Sequence, residues 1–278
     1  MLSAARSIFE FPSLDKDLEA FGFKVSEGGA HTSRTIMLKE ITRLFASADT
    51  RAGTEDYRRL VLSENVLGKR TQTTRQETAR RLRELYALSS KVPIFSLYRE
   101  LMKLDSQSAP LLSLLIAWAR DPLLRATTPA ISQASFGESV KSDDLQQALT
   151  EAYPHQYSAI TIGNVARHAA SSWTQSGHLT GRTKKIRSRV QPRPAAVTFA
   201  LILGHVGGVA GTQLFTCVWC RLLDVNATEA RSLAEQAHRQ ELLTLRAMGS
   251  VVEISRSTSE IIFLRACTES RSDGIFLR

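Results

Sequence analysis

Between Tyr157 and Arg193 the chain carries Arg167, Arg182, Lys184, Lys185, Arg187, Arg189 and Arg193, and no Asp or Glu answers them. The acid-free interval is longer still, running from Glu151 to Asp224. A solvated surface normally mixes charge signs, so a one-sign block of this kind suits the holding of a polyanion. Helical spacing is expected from about Ser158 to Gln175, with Ile162, Val165, Ala169 and Trp173 on one face. On that helix Thr161, Asn164, Arg167 and His168 occupy successive turns, and these residue types can reach phosphates and base edges. Ser176-Gly177 ends the helix. His178–Leu179 and Ile186–Val190 are then expected to pair as a β-hairpin across a basic turn, closed by Pro192 and Pro194. A helix followed by a cationic two-stranded flap is the outline of a winged helix-turn-helix, and the hairpin carries the binding expectation.

A second basic element lies upstream. Tyr57 to Val66 can form one short helix, Gly68 stops it, and Thr71 to Thr74 with Glu77 reads as the N-cap of another that runs to about Leu88. Helix, tight turn and helix is helix-turn-helix spacing. Lys69, Arg70, Thr74, Arg75, Arg80 and Arg83 are its candidate binding residues, with Arg81 beside them and Glu77 and Glu84 opposing. A solvated helix face would read the same way, and both readings stand at this point.

Other chemistry leaves little trace. No Gly-rich phosphate loop of P-loop or Rossmann type is present, because Gly207-Gly208-x-x-Gly211 lacks a following Lys-Ser/Thr. The six histidines form no i, i+4 ligand pair, and Asp143 and Asp144 are adjacent, so their side chains diverge on a helix. No local signature groups a Ser, a His and an acid. Neither catalysis, a cofactor nor a metal is expected. Cys217 and Cys220 have CxxC spacing without a second Cys/His pair for zinc, and read as buried structural thiols in a reducing, cytoplasmic setting.

The elements that must position these residues are helical. The chain has 278 residues, a formal net charge of +9 and 43% hydrophobic residues, enough for one large domain or two modest ones. Residues 1–27 read as a loose arm with a short helix from Leu14 to Phe21. Ile94–Leu104 and Leu111–Leu124 read as central packing helices. Ala126–Gly137, rich in Thr, Ser and Pro, reads as a linker, which sets an N-terminal helical domain at 1–135 and a winged-helix-like region at 136–278. Glu138–Tyr153 is expected to be helical. So are Pro194–Val206, Thr212–Val225 and Thr228–Ala247, followed by strands at Ser250–Arg256 and Glu260–Ala266. The uncharged run Ala195–Cys220 is long enough on paper to span a bilayer, but its Gly207-Gly208 break divides it into two globular lengths. The expected class is mainly α, with helix-turn-helix or winged-helix modules and one or two short β-hairpins.

With both basic helices placed, the chain resembles the BrxA family of bacterial BREX phage-defence systems. The resemblance rests on Ser63-Glu64-Asn65-Val66-Leu67, Lys69-Arg70-Thr71, Thr74 and Ala79-Arg80-Arg81-Leu82, and on Trp173–Leu179 (WTQSGHL) followed by a basic hairpin. It covers roughly Ser26 to Val206. It implies a small helical protein that binds double-stranded DNA through helix-turn-helix or winged-helix modules without enzymatic activity. The chain departs from the family pattern in its extra length at both ends. The composition by itself also suits an RNA-binding module, or a scaffold for defence proteins whose charge serves solubility.

Overall fold

The computed structural model describes residues 16–24, 28–248 and 251–255. Among the described residues, contacts group Ala20–Val190 into one compact unit, and Lys16–Glu19 with the residues from Gln191 to Ser255 into a second. The architecture is mainly helical with two small antiparallel sheets.

The first unit begins with α1 (Lys16–Phe21), whose last residues belong to it, and a 3-10 turn at Ala30–Thr32. Helices α2 (Leu38–Ser47), α3 (Thr54–Leu62), α4 (Gln72–Tyr86), α5 (Pro93–Leu104) and α6 (Ala109–Arg120) follow. Local chemistry sets their starts. The Thr71 hydroxyl accepts the Thr74 amide at 3.1 Å, and prolines stand in the first turns of α5 and α6, where a missing N–H costs nothing. Helix α6 is buried from Leu111 through Ala119, as a helix that is apolar on all sides must be. Helices α2, α4 and α5 pack against it.

The first part of the Thr/Ser/Pro-rich stretch expected to be a linker is instead packed structure, holding the end of α7 (Pro122–Ala126) and α8 (Thr128–Ser132), while residues 133–138 are a largely exposed turn. The reason lies in two indoles: Trp118 Nε1 donates to Thr128 Oγ1 at 2.8 Å and Trp173 Nε1 to Thr127 Oγ1 at 2.9 Å. A buried Trp N–H needs an acceptor, and these threonines supply it, so hydroxyls that read as loop-forming are interior partners. The division of the chain accordingly falls at Val190–Gln191, and residues 136–190 pack as part of the first unit.

Those residues form β1 (Ser139–Val140), α9 (Ser142–Ala152), α10 (Ala159–Gln175), β2 (Leu179–Thr180) and β3 (Lys185–Arg187). The sheet order is β1-β3-β2, all antiparallel, with Val140 opposite Lys185 and Leu179 opposite Arg187. The helix expected to start at Glu138 starts at Ser142 instead, because Val140 is buried in the sheet and the Asp144 carboxylate caps the Lys141 amide at 2.7 Å. Strand, helix, helix and hairpin, with the first strand joining the hairpin, is winged-helix connectivity. Gly181 makes the hairpin turn possible: its φ is +88°, and a Cβ there would lie 2.2 Å from the Lys184 carbonyl oxygen.

The second unit is built on α11 (Pro194–Val206), buried from Ala195 through Gly204. The expected helix at Thr212–Val225 is a 3-10 segment, Gly211–Thr216, followed by the short α12 (Val218–Arg221). Helix α13 (Ala227–Arg239), capped by Asn226, ends earlier than expected, because Thr244–Met248 is a strand. Glu241 adopts a φ of 58°, and the chain leaves the helix there to pair β4 (Thr244–Met248) with β5 (Val251–Ser255). The strand expected at Glu260–Ala266 lies outside the described residues. Among the described residues no helix is long and apolar enough to cross a membrane.

Candidate nucleic-acid interface

Helix α10 starts cleanly because the Ser158 hydroxyl accepts the Thr161 amide at 3.2 Å. Its buried face is Ile162, Val165, Ala166, Ala169 and Trp173. On the opposite side Ile160, Asn164, Arg167 and Ser171 follow helical spacing in one stripe. Ile160 is 79% exposed and Arg167 is exposed, with Arg167 Nη2 donating to Asn164 Oδ1 at 2.5 Å. An exposed isoleucine one residue inside a helix start was not singled out from sequence. The exposure, not the residue type, marks it.

Two of the four residues expected on this helix point elsewhere. Thr161 Oγ1 is held by Ser158 Oγ at 3.0 Å. His168 Nδ1 donates to the His31 carbonyl at 2.9 Å, and burial lowers its basicity, with Arg167 and Arg34 adding to that effect. His168 is therefore a packing residue and not a groove-facing one.

The wing divides in the same way. Arg182 and Lys184 are exposed at the turn, and Arg189 is exposed below it. Lys185 Nζ returns across the turn to the Gly181 carbonyl at 2.8 Å. Arg187 corrects the expectation outright. It is 5% exposed, its Nε donates to the Ile131 carbonyl at 3.0 Å, its Nη1 reaches His178 O at 3.4 Å and Ser188 O at 2.5 Å, and its guanidinium lies 5.0 Å from the Phe136 ring centre. Its five-donor fork satisfies carbonyls at the base of the sheet, so its charge is not available to a ligand.

The upstream helix pair is largely neutralised. Lys69 pairs with Glu40 at 2.9 Å, while Arg75 donates to the Lys69 and Leu62 carbonyls, both at 3.3 Å, closing the turn between α3 and α4. Arg80 grips Glu77 with two bonds of 2.9 and 2.8 Å, and Arg81 bridges Glu77 and Glu84. Hydrogen bonding from Arg80, with Arg81 adding, holds the Glu77 carboxyl down at about 2. Thr74 is spent on the cap, its hydroxyl 2.8 Å from that of Thr71. Arg70 and Arg83 remain exposed. Arg80 and Arg83 help line a cavity of about 300 Å³ between α3 and α4, floored by Tyr57, Val61 and Leu88. Of the two basic elements, the wing keeps Arg182, Lys184 and Arg189 exposed in an acid-free stretch, while the upstream pair keeps only Arg70 and Arg83 clear of carboxylates.

The first unit also buries a constellation that resembles catalytic machinery. His31 Nδ1 lies 2.8 Å from Asp121 Oδ2, and His31 Nε2 lies 2.8 Å from Ser172 Oγ, an acid–His–Ser chain assembled from positions 90 and 141 residues apart. The hydrogen-bond count decides what it does. Ser172 Oγ donates its one proton to the His168 carbonyl at 2.9 Å and accepts the Ile36 amide at 2.9 Å. The remaining lone pair closes the count when His31 Nε2 donates. A serine whose proton is given to a carbonyl, and whose base presents N–H to it, is not an activated nucleophile. His31, Asp121 and Ser172 are also all essentially inaccessible. For Asp121, burial pushes the carboxyl up, but the His31 charge and hydrogen bonds and the Leu124 amide outweigh it, leaving it below its ordinary value. The chain is a clamp holding the Ala30–Thr32 turn and α7 to α10. Gly29 is required beside it, since a Cβ there would stand 2.2 Å from Asp121 Oδ1. No local motif could have announced these partners.

No protein-family model and no curated protein sequence matches the chain.

Proposed function

We propose that the chain is a non-enzymatic double-stranded DNA-binding protein that lays α10 in a groove and the β2–β3 wing along the phosphate backbone. The observation that carries this reading is the β1-α9-α10-β2-β3 unit. Its sheet order is β1-β3-β2, with an outward Ile160–Asn164–Arg167 stripe and an acid-free turn bearing Arg182 and Lys184. An α-helix fits the major groove, where Asn and Arg reach base edges and an aliphatic side chain meets a thymine methyl. Cations at the turn neutralise phosphates and release counterions. Few base-reading side chains against several phosphate-directed ones favour weak sequence preference. The BrxA-like residue pattern favours a role as an accessory factor of a phage-defence system.

Competition among duplex DNA, single-stranded DNA and RNA of equal length at fixed salt tests the reading. Duplex DNA is expected to win, with affinity falling steeply as salt rises. Preference for RNA assigns the surface to an RNA-binding module, and absent or salt-independent binding leaves the scaffold reading.

A further inference from the structure

The second unit holds two thiols that the nucleic-acid reading does not use. Cys217 is the residue immediately before α12, with extended backbone (φ −63°, ψ 165°), and Cys220 lies three residues on, one helical turn along the same face. Their environments differ. Cys220 is buried, with its Sγ 3.3 Å from the Leu214 carbonyl, while Cys217 is only partly covered. The Cys217 sulfur rests against α11 at Gly204, where even a Cβ would come within 3.0 Å of it. The Cys220 S–H donates to the Leu214 carbonyl. The neighbouring Cys220 side chain, with the Cys220 and Trp219 amides and Arg221, brings the Cys217 thiol down to about 7, while Cys217 and burial push Cys220 up. A partly exposed sulfur that ionises more readily, beside a buried thiol, is the arrangement in which one sulfur attacks and the other resolves. Two structural thiols in a core would both be covered.

We propose that Cys217 and Cys220 form a thiol–disulfide exchange site, with Cys217 the attacking sulfur and Cys220 the resolving one, acting on a small-molecule or protein disulfide. The Cys217 thiolate attacks one sulfur of the disulfide R–S–S–R, forming a mixed disulfide and releasing RS⁻. The Cys220 sulfur, losing its proton, then attacks the Cys217 sulfur and releases the second RS⁻. The dithiol is oxidised to an intramolecular disulfide while one R–S–S–R is reduced to two RSH, the two protons coming from the two cysteines. Side chains three apart at a helix start are neighbours, with Cβ atoms about 5–6 Å apart, so closing the bond draws the extended Cys217 backbone inward by about 1–2 Å.

The test uses the full chain and glutathione disulfide as the probe. After timed exposure at pH 7.5, free thiols are alkylated and the tryptic peptide ending at Arg221 is weighed. The expected product is that peptide two mass units lighter and unalkylated at both cysteines. Cys220→Ser should stop at a glutathione adduct on Cys217, whereas Cys217→Ser should leave Cys220 unreacted. Iodoacetamide should label Cys217 before Cys220 in the unaltered protein, with a rate midpoint near pH 7. Equal, slow labelling of both thiols, with no intrapeptide disulfide in the unaltered chain, would overturn the assignment and return both cysteines to the core. A disulfide between either residue and Cys267 would overturn it as well.

Discussion

Replacing Arg182 and Lys184 together by Ala removes the two exposed cations of the wing turn without touching its framework, because Gly181 and the Arg187 anchorage remain. If each side chain neutralises one phosphate, the slope of log affinity against log salt flattens by about 1.8. Between 1 M and 0.15 M salt that difference amounts to about 30-fold in affinity, so the double variant binds duplex DNA about 30-fold more weakly at physiological salt and nearly normally at high salt. Fluorescence anisotropy with a labelled duplex, repeated at five or six salt concentrations, reads both slope and affinity. Circular dichroism and thermal melting establish that the fold is intact. An unchanged slope with an intact fold would remove the wing from the interface. A loss of affinity that does not depend on salt would show that the two residues act by something other than phosphate neutralisation. The choice of residues matters, because Lys184, Lys185 and Arg187 look equivalent in sequence and are not. Substituting Arg187 tests the sheet, not the binding surface.

Arg187→Ala strands the Ile131 and His178 carbonyls and is expected to cost about 2–4 kcal/mol in chemical denaturation, with DNA binding lost only in proportion to unfolding. Ser172→Ala leaves the Ile36 amide and His31 Nε2 without their partner. It should destabilise the protein by about 2–4 kcal/mol, and a fluorophosphonate probe should label Ser172 no faster than in the denatured chain. Acid should weaken the fold through Asp121 and Glu77. Both carboxyls lie below their ordinary values in the folded chain, so their contribution is complete above those values and is lost as pH falls through the depressed ones, to about 2 for Glu77. Denaturation midpoints between pH 7 and pH 2 follow this, and Asp121→Asn should remove part of the fall. Gly29→Ala drives a Cβ into the Asp121 carboxylate and should reproduce the instability of Ser172→Ala.

Sequence patterning found α10 almost to the residue, because its apolar stripe, Ser158 cap and Gly177 stop are all local signals. It missed β1, since a two-residue strand has no periodicity and Val140 declares itself only by pairing with β3. It took Thr127 and Thr128 for loop residues because their indole partners include Trp173, 46 residues away from Thr127. Charge was legible as a total but not as a distribution. Arg120 and Arg125 are largely covered, and desolvation brings each guanidinium down to about 10, still cationic at neutral pH. Arg120 donates to the Glu84 and Gly22 carbonyls and Arg125 to those of Trp118 and Lys24. Arg75, Arg81 and Arg187 are likewise consumed inside. The formal excess of positive charge therefore overstates what a polyanion can meet, and the acid-free wing turn gains weight as the upstream helix loses it.

The clamp from Asp121 through His31 to Ser172 bears on how this chain can be cut and recombined. Helix α10 is held from outside the winged-helix segment by a residue near position 30 and another near 120, and its indole by Thr127. A fragment spanning 136–190 would contain every residue of α10 and the wing proposed to face DNA, yet leave Ser172 and Trp173 facing vacated space. An insertion between Thr127 and Thr128 would part the acceptors of both indoles. Helix α10 is thus not a transplantable cassette.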